Sequence, residues 1–122
     1  MVNLIWVAAG GALGACLRYI SSSAMSYIWP NFPYGTMFVN ILGSFFIGLL
    51  MNYLENKIAS HEFVKYFLII GLLGSYTTFS AFSYDTIDLF YKRNFMLSTF
   101  YVIVSVSSCL LFAFLGYSIK KL

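Results

Sequence analysis

Four long apolar stretches separated by short polar segments constrain this sequence more than any other feature. Each is close to the ~20 residues that a helix needs to cross the hydrocarbon core of a bilayer. Charged residues make up only 9% of the chain, whereas soluble domains carry about 25%. A water-facing surface cannot be built from so few charged side chains. The sequence therefore predicts a membrane protein.

We expect residues 1–122 to form one all-α transmembrane domain of four helices. The predicted spans are residues 4–28, 34–54, 64–84 and 95–117. Pro30 and Pro33 separate the first two, because proline lacks an N–H and disfavours helix at the preceding residue. The carboxylates are expected at span ends, and they are Glu55, Glu62, Asp85 and Asp88. Four spans place both termini on one side of the membrane.

Basic residues orient this domain only weakly. The side of the termini carries Lys57, Lys65, Lys120 and Lys121. The other side carries Lys92 and Arg93, with Arg18 within reach of it. Under the positive-inside rule this is a small bias. Either the rule is noisy for so short a chain, or the protein inserts in both orientations and pairs as an antiparallel dimer.

The number of helices also predicts self-association. Four helices leave little interior, since the outer surface of a small bundle must face lipid. We therefore expect a homo-oligomer, most often a twofold dimer. Small residues four apart allow close helix packing. They occur at Gly10 and Gly14, at Gly11 and Ala15, and at Ser44 and Gly48. These pairs are equally consistent with packing within one chain and between two chains.

The third span is the most informative segment. Residues 71–83, GLLGSYTTFSAFS, combine two glycines with two threonines and three serines. Unwound backbone at membrane depth is tolerated only where protein or a water-filled cavity covers it. The alternative is an unbroken helix whose hydroxyls bond back to the preceding turn. The density of polar residues and glycine favours a break at 74–78, whose exposed carbonyl oxygens can coordinate a hard cation such as Na⁺.

Polar residues in the other spans each have two interpretations. Arg18 either attracts an anion into a vestibule or anchors its helix by reaching the interface. An interhelical hydrogen bond is the ordinary role of an Asn such as Asn40 in a membrane. In the fourth span, hydroxyls on one helical stripe could replace the hydration shell of an ion or bond to a neighbouring helix. The stripe comprises Ser98, Tyr101, Ser105 and Ser108, with Cys109 beside it.

Several functional classes are disfavoured by what the sequence lacks. The basic residues are scattered at segment ends, which argues against nucleic-acid binding. The single histidine, His61, lies in a connector, so no nucleophile–base–carboxylate set is expected and the chain is not predicted to be an enzyme. Cys16 and Cys109 are interpreted as small buried hydrophobes. A proton-coupled exporter needs a carboxylate within the membrane, and none is expected. These properties favour conduction.

Three segments resemble the CrcB/Fluc fluoride channel family. They are residues 10–19, GGALGACLRY, residues 33–43, PYGTMFVNILG, and residues 71–83, GLLGSYTTFSAFS. In this order, in a four-span chain of this size, they form a specific combination. The resemblance implies a dual-topology antiparallel homodimer in the inner (plasma) membrane. It also implies passive fluoride export that relieves fluoride toxicity, through two pores around a central structural Na⁺.

The resemblance also implies roles for particular residues. The backbone carbonyls of Gly74 and Thr77 would hold the Na⁺, and Arg18 would lie in the vestibule. The implied fluoride pore comprises Asn40, Thr78, Phe79, Ser80, Phe82, Tyr101 and Ser105. Cys109 and Ala81 depart from the family pattern, because a hydroxyl is common at both positions.

The chemistry of these residues suits fluoride. This anion is small and strongly hydrated, so its dehydration requires several short hydrogen-bond donors. The edge of an aromatic ring carries positive charge and can face an anion. Two alternatives remain: a small dual-topology multidrug or cation exporter, and an assembly subunit whose polar spans only dock a partner.

Overall fold

The computed structural model describes residues 1–55, 61–92 and 94–119. Within these ranges the chain is helical and contains no strand. Four helical segments are long and apolar enough to cross a membrane, and they are Val2–Ile28, Tyr34–Glu55, Phe63–Lys92 and Phe95–Ser118. The predicted all-α fold with four membrane-spanning segments is therefore confirmed. The basic residues Lys57, Arg93, Lys120 and Lys121 lie outside the described residues.

Three of the four segments are single α-helices. Helix α1 is Val2–Ile28 and helix α2 is Tyr34–Glu55. The third segment begins as a π-helix, Phe63–Leu73, continues as one turn of α-helix, α3, Gly74–Tyr76, and resumes as α4, Phe79–Lys92. The last helix, α5, is Phe95–Ser118.

Helix α4 extends to Lys92 instead of ending near Tyr84 as hydropathy suggested. No glycine or proline interrupts residues 85–92, and a 2.6 Å ion pair between Asp88 and Lys92 spans the last turn. Asp85 and Asp88 therefore lie within a helix that continues past residue 84, where the predicted span ends. Because a helix can extend beyond the bilayer, the expectation that these carboxylates mark a span end stays a prediction.

Glycines allow the helices of one chain to approach closely. A Cβ added to Gly14 of α1 would collide with the backbone of Leu72 in the π-helix. On the other side of the fold, a Cβ on Gly48 of α2 would collide with the carbonyl of Ala113 in α5. The small residues at these positions therefore serve packing within the chain.

A small core lies where α4 meets α5. Phe82, Leu89 and Tyr101 are buried there, with four partly buried hydrophobic neighbours: Phe32, Met37, Leu97 and Val102. Most other large apolar side chains are exposed on the single chain. Lipid or another protein chain must cover such a surface, because water does not solvate it favourably. The core supports the start of α4, where the polar residues of the third segment converge.

Candidate functional site

The third segment changes direction at two threonines. Thr77 has extended backbone, with φ −79° and ψ 155°, and the next helix begins only at Phe79. The backbone N–H and the hydroxyl of Thr77 both donate to the carbonyl of Leu73, each at 3.0 Å. Helix α3 thus ends before Thr77. The backbone groups of Thr78 lie outside both helices and need hydrogen-bond partners from elsewhere.

Asn40 supplies those partners from α2. Its Oδ1 accepts a hydrogen bond from the Thr78 backbone N–H at 2.7 Å, and its Nδ2 donates to the Thr78 carbonyl at 3.1 Å. In a continuous α-helix the Thr78 N–H would donate to the carbonyl of Gly74, four residues earlier. The Asn40 amide therefore bonds to both backbone groups of Thr78. The Thr78 N–H is thereby diverted from the carbonyl of Gly74.

Two neighbouring carbonyls also lose their ordinary helical donors. The backbone N–H of Ala81 donates to the hydroxyl of Thr78 at 3.2 Å, so it is diverted from the carbonyl of Thr77. The carbonyl of Ser75 instead accepts a hydrogen bond from Nε of Arg18 at 3.0 Å. The carbonyls of Gly74 and Thr77 thus lose the N–H groups that would bond to them in a continuous helix. Among the described hydrogen bonds, no other donor bonds to either carbonyl.

A cavity of about 280 Å³ adjoins this turn, between α2, α4 and α5. Its polar walls carry an amide, hydroxyls and a thiol, and its remaining walls are apolar or aromatic. The lining residues are Asn40, Ser44, Ile47, Thr77, Thr78, Phe79, Phe82, Ser105, Val106, Cys109 and Leu110. Such a mainly apolar cavity with a few convergent polar groups is typical of a site for a small ligand.

One hydroxyl in this cavity is almost fully buried. Ser105 is only 3% exposed, and its Oγ forms no hydrogen bond within the part of the chain that the structure describes. Burying a hydroxyl without a partner costs about 1–3 kcal/mol. The Tyr101 hydroxyl lies within hydrogen-bonding reach of Ser105, so the Ser105 hydroxyl can bond either to Tyr101 or to water or an ion in the cavity.

The two phenylalanines of α4 differ in exposure. Their ring centroids lie 5.4 Å apart, and both rings line the cavity. Phe82 is 8% exposed and packs near Tyr101, whereas Phe79 is 77% exposed. Phe82 is therefore fixed by the core of its own chain, while Phe79 projects from it.

The structure places four of the predicted site residues outside the cavity wall: Arg18, Gly74, Ser80 and Tyr101. The hydroxyl of Tyr101 donates to Oδ2 of Asp85 at 3.4 Å. The Ser80 hydroxyl lies 3.1 Å from that of Thr78, and Arg18 contacts the carbonyl of Ser75. Asn40, Thr78, Phe79, Phe82 and Ser105 meet at the cavity, and Gly74 lies one turn before it.

Comparison with known proteins identifies the family. The profile of the family described as "CrcB-like protein, Camphor Resistance (CrcB)" matches residues 5–117. The chain belongs to this CrcB-like family. The match includes every residue of the cavity and of the turn. Together with the four spanning helices, it makes the chain a multi-pass membrane protein.

Several relatives of this CrcB-like chain bear the name "Fluoride-specific ion channel FluC". One from Agrobacterium fabrum is 40% identical over 122 residues, which cover 99% of this chain and 98% of the relative. One from Rhizobium meliloti is 42% identical over the same length and coverage. One from Campylobacter jejuni is 42% identical over 123 residues, covering 99% of this chain and all of the relative.

Two polar cavity residues of the CrcB-like chain, Ser44 and Cys109, were not predicted as part of the site. Ser44 follows Asn40 by four residues, and Cys109 follows Ser105 by four. Residues four apart share one face of a helix, so both could have been found by extending the predicted polar positions one turn along their helices. No comparable signal pairs Asp85 with Tyr101, because their contact joins two different helices.

Proposed function

We propose that this protein is a fluoride-selective channel of the inner (plasma) membrane, through which fluoride leaves the cytoplasm passively and its toxicity is relieved. The observation that carries the proposal is a cavity that joins the Asn40 amide to the buried hydroxyl of Ser105, which forms no well-aligned hydrogen bond among the described residues. The relatives named as fluoride channels supply the identity of the ion. We propose no enzymatic activity.

The hydrogen-bond donors of the cavity suit fluoride. The hydroxyl of Ser105 forms no well-aligned hydrogen bond among the described residues and can donate to an anion. Asn40 uses Oδ1 and one N–H on Thr78, and a primary amide carries a second N–H. The ring edges of Phe79 and Phe82, with their partial positive charge, complete the wall. Together these groups replace water around a dehydrated anion without placing a negative charge beside it.

The functional unit in this proposal is an antiparallel homodimer whose subunits insert in opposite orientations. A Phe79 ring that is 77% exposed supports a partner, because an aromatic wall of an ion path needs cover from both water and lipid. The weak bias of the basic residues is compatible with insertion in both orientations. The third helix is broken at Thr77 and Thr78 in this unit, and each subunit supplies part of two pores.

We further propose a structural Na⁺ at the centre of the dimer. The carbonyls of Gly74 and Thr77 fit it, since their helical donors are diverted to Asn40 and Thr78 and carbonyl oxygens suit a hard cation. Two oxygens are too few to complete a coordination shell, so the same pair from a second copy is required. When bound, the ion would supply positive charge next to the anion path.

Fluoride efflux from liposomes tests the function. Purified protein is expected to release fluoride down its gradient without a proton gradient, and to release chloride far more slowly. Proton-coupled efflux of an organic cation would instead indicate the exporter. Absence of fluoride efflux from folded, reconstituted protein would refute the channel.

A pair of serine variants tests the site. Ser105→Ala removes the buried hydroxyl and is expected to slow fluoride efflux about tenfold, the equivalent of about 1.4 kcal/mol in the barrier. Ser107→Ala is the matched control, because Ser107 is exposed on the same helix and away from the cavity. Equal efflux from the two variants would remove Ser105 from the path.

A further inference from the structure

The cavity contains one side chain whose chemistry the proposed conduction does not use. Cys109 lies on α5, is half-buried and has a free thiol. It follows Ser105 by one helical turn, so the two side chains share a face of α5. The hydroxyl of Ser44 on α2 lies within hydrogen-bonding reach of the thiol. The thiol is thus part of the cavity wall.

The buried hydroxyl of Ser105 supports contact between this wall and a guest. Its Oγ forms no well-aligned hydrogen bond among the described residues, so water or another small polar species in the cavity can bond to it. Ser105 and Cys109 line the same space. A species that reaches the hydroxyl therefore also reaches the sulfur.

We propose that Cys109 is a modification site for small, uncharged thiol-reactive compounds, and that capping its sulfur closes the cavity to ion flow. The site follows from the geometry of the cavity alone, whereas the effect on flow rests on the proposed channel function. A volume of about 280 Å³ admits a methylthio group, which would then occupy space beside Asn40 and Ser105. Because the remaining wall is mainly apolar, a neutral reagent is preferred over a charged one.

The modification is a thiol exchange with no additional oxidant. With methyl methanethiosulfonate, the Cys109 sulfur attacks the divalent sulfur of the methylthio group, forming a new S–S bond. The S–S bond of the reagent breaks, methanesulfinate leaves with the electron pair, and the thiol proton passes to water. Dithiothreitol reverses the reaction by the same exchange, releasing methanethiol and restoring the Cys109 thiol.

The chain contains a matched control for this chemistry. Its second cysteine, Cys16, is exposed on α1 and does not line the cavity. Cys16→Ser leaves Cys109 as the single thiol, and Cys109→Ser leaves Cys16. Comparison of these two variants separates capping within the cavity from any effect of thiol modification elsewhere on the protein.

The experiment treats each full-length variant in liposomes with methyl methanethiosulfonate and measures intact mass and fluoride efflux on the same sample. Cys16→Ser is expected to gain one methylthio group and lose about tenfold of its efflux, and dithiothreitol is expected to restore it. Cys109→Ser is compared with its own untreated rate and is expected to keep it.

Two results would overturn the inference: no adduct on Cys109 in the folded protein, or complete modification of Cys16→Ser with efflux unchanged. Failure of the channel function itself would be seen separately, as absence of efflux before any reagent is added. In that case the mass measurement still tests the site, since an adduct at Cys109 in the folded protein supports it and its absence refutes it.

Discussion

At the scale of single residues, the side chain of Asn40 links the two halves of the site. It bonds to both backbone groups of Thr78, which is 38 residues away in the sequence, and it also lines the cavity. The sequence left open whether this amide forms an interhelical hydrogen bond or faces an ion. The structure shows the hydrogen bonds, and the position on the cavity wall is compatible with the second role, so the two interpretations are not exclusive.

Asn40→Asp is expected to reduce fluoride efflux by at least about tenfold, because it replaces the Nδ2 donor with a carboxylate that repels both the Thr78 carbonyl and an anion. Efflux from liposomes measures the change. Asn94→Asp is the control, since Asn94 caps the start of α5 through an oxygen that accepts from Met96 N at 2.8 Å, and Asp caps equally well. Equal rates for the two variants would contradict the assignment of Asn40.

Phe79→Ile is expected to slow efflux about tenfold while the fold is retained, because isoleucine keeps apolar bulk but has no ring edge with positive charge. The exposed Phe100 on α5 provides the control substitution, Phe100→Ile. The measurement is efflux together with elution volume on gel filtration. If Phe79→Ile conducts as fast as the unaltered protein, the ring does not contribute to the ion path.

At the scale of elements, the third hydrophobic segment and the glycine contacts define the architecture. Hydropathy located all four segments, and the polar composition of residues 71–83 favoured a departure from a regular helix. The position of the turn depends on Thr77 and on Asn40 of another helix. The same contacts decide that the carbonyls of Gly74 and Thr77 lose their helical donors. The span predicted from hydropathy ended at residue 84, before Asp85 and Asp88, whereas α4 includes both residues.

Gly48→Ala is expected to destabilise the protein by about 1–3 kcal/mol, because the new methyl group would meet the backbone of α5, including Tyr117 N at 2.9 Å, and backbone cannot move aside. Thermal unfolding in detergent measures the loss. Gly11→Ala is the control, since its new Cβ would meet only the Ser75 hydroxyl at 3.2 Å, a side chain that can rotate. A larger loss for Gly11→Ala would contradict this packing.

At the scale of the whole molecule, one chain has an incomplete site and an uncovered apolar surface. Phe79 projects from the chain, and the carbonyls of Gly74 and Thr77 are too few for a complete cation shell. Both features support the proposed homodimer, in which a second copy covers the ring and supplies the remaining oxygens.

Replacing Na⁺ with N-methylglucamine throughout purification is expected to lower the melting temperature of the dimer by about 5 °C, because an ion that binds only the folded state stabilises it. Melting curves at equal chloride concentration measure the shift, and return of Na⁺ should reverse it. Superimposable curves in the two cations would argue against a structural Na⁺.

The sequence by itself determined the solvent, the number of helices and the segment in which polar groups concentrate. These are local properties: about 20 apolar residues span a bilayer whatever they pack against. Only the tertiary structure decided that Asn40 bonds to Thr78, that the Ser105 hydroxyl is buried beside the cavity, and that Ser44 and Cys109 join the cavity wall. The reason is that hydrogen-bond partners and cavities depend on which helices become neighbours, and residues distant in the sequence set that arrangement together.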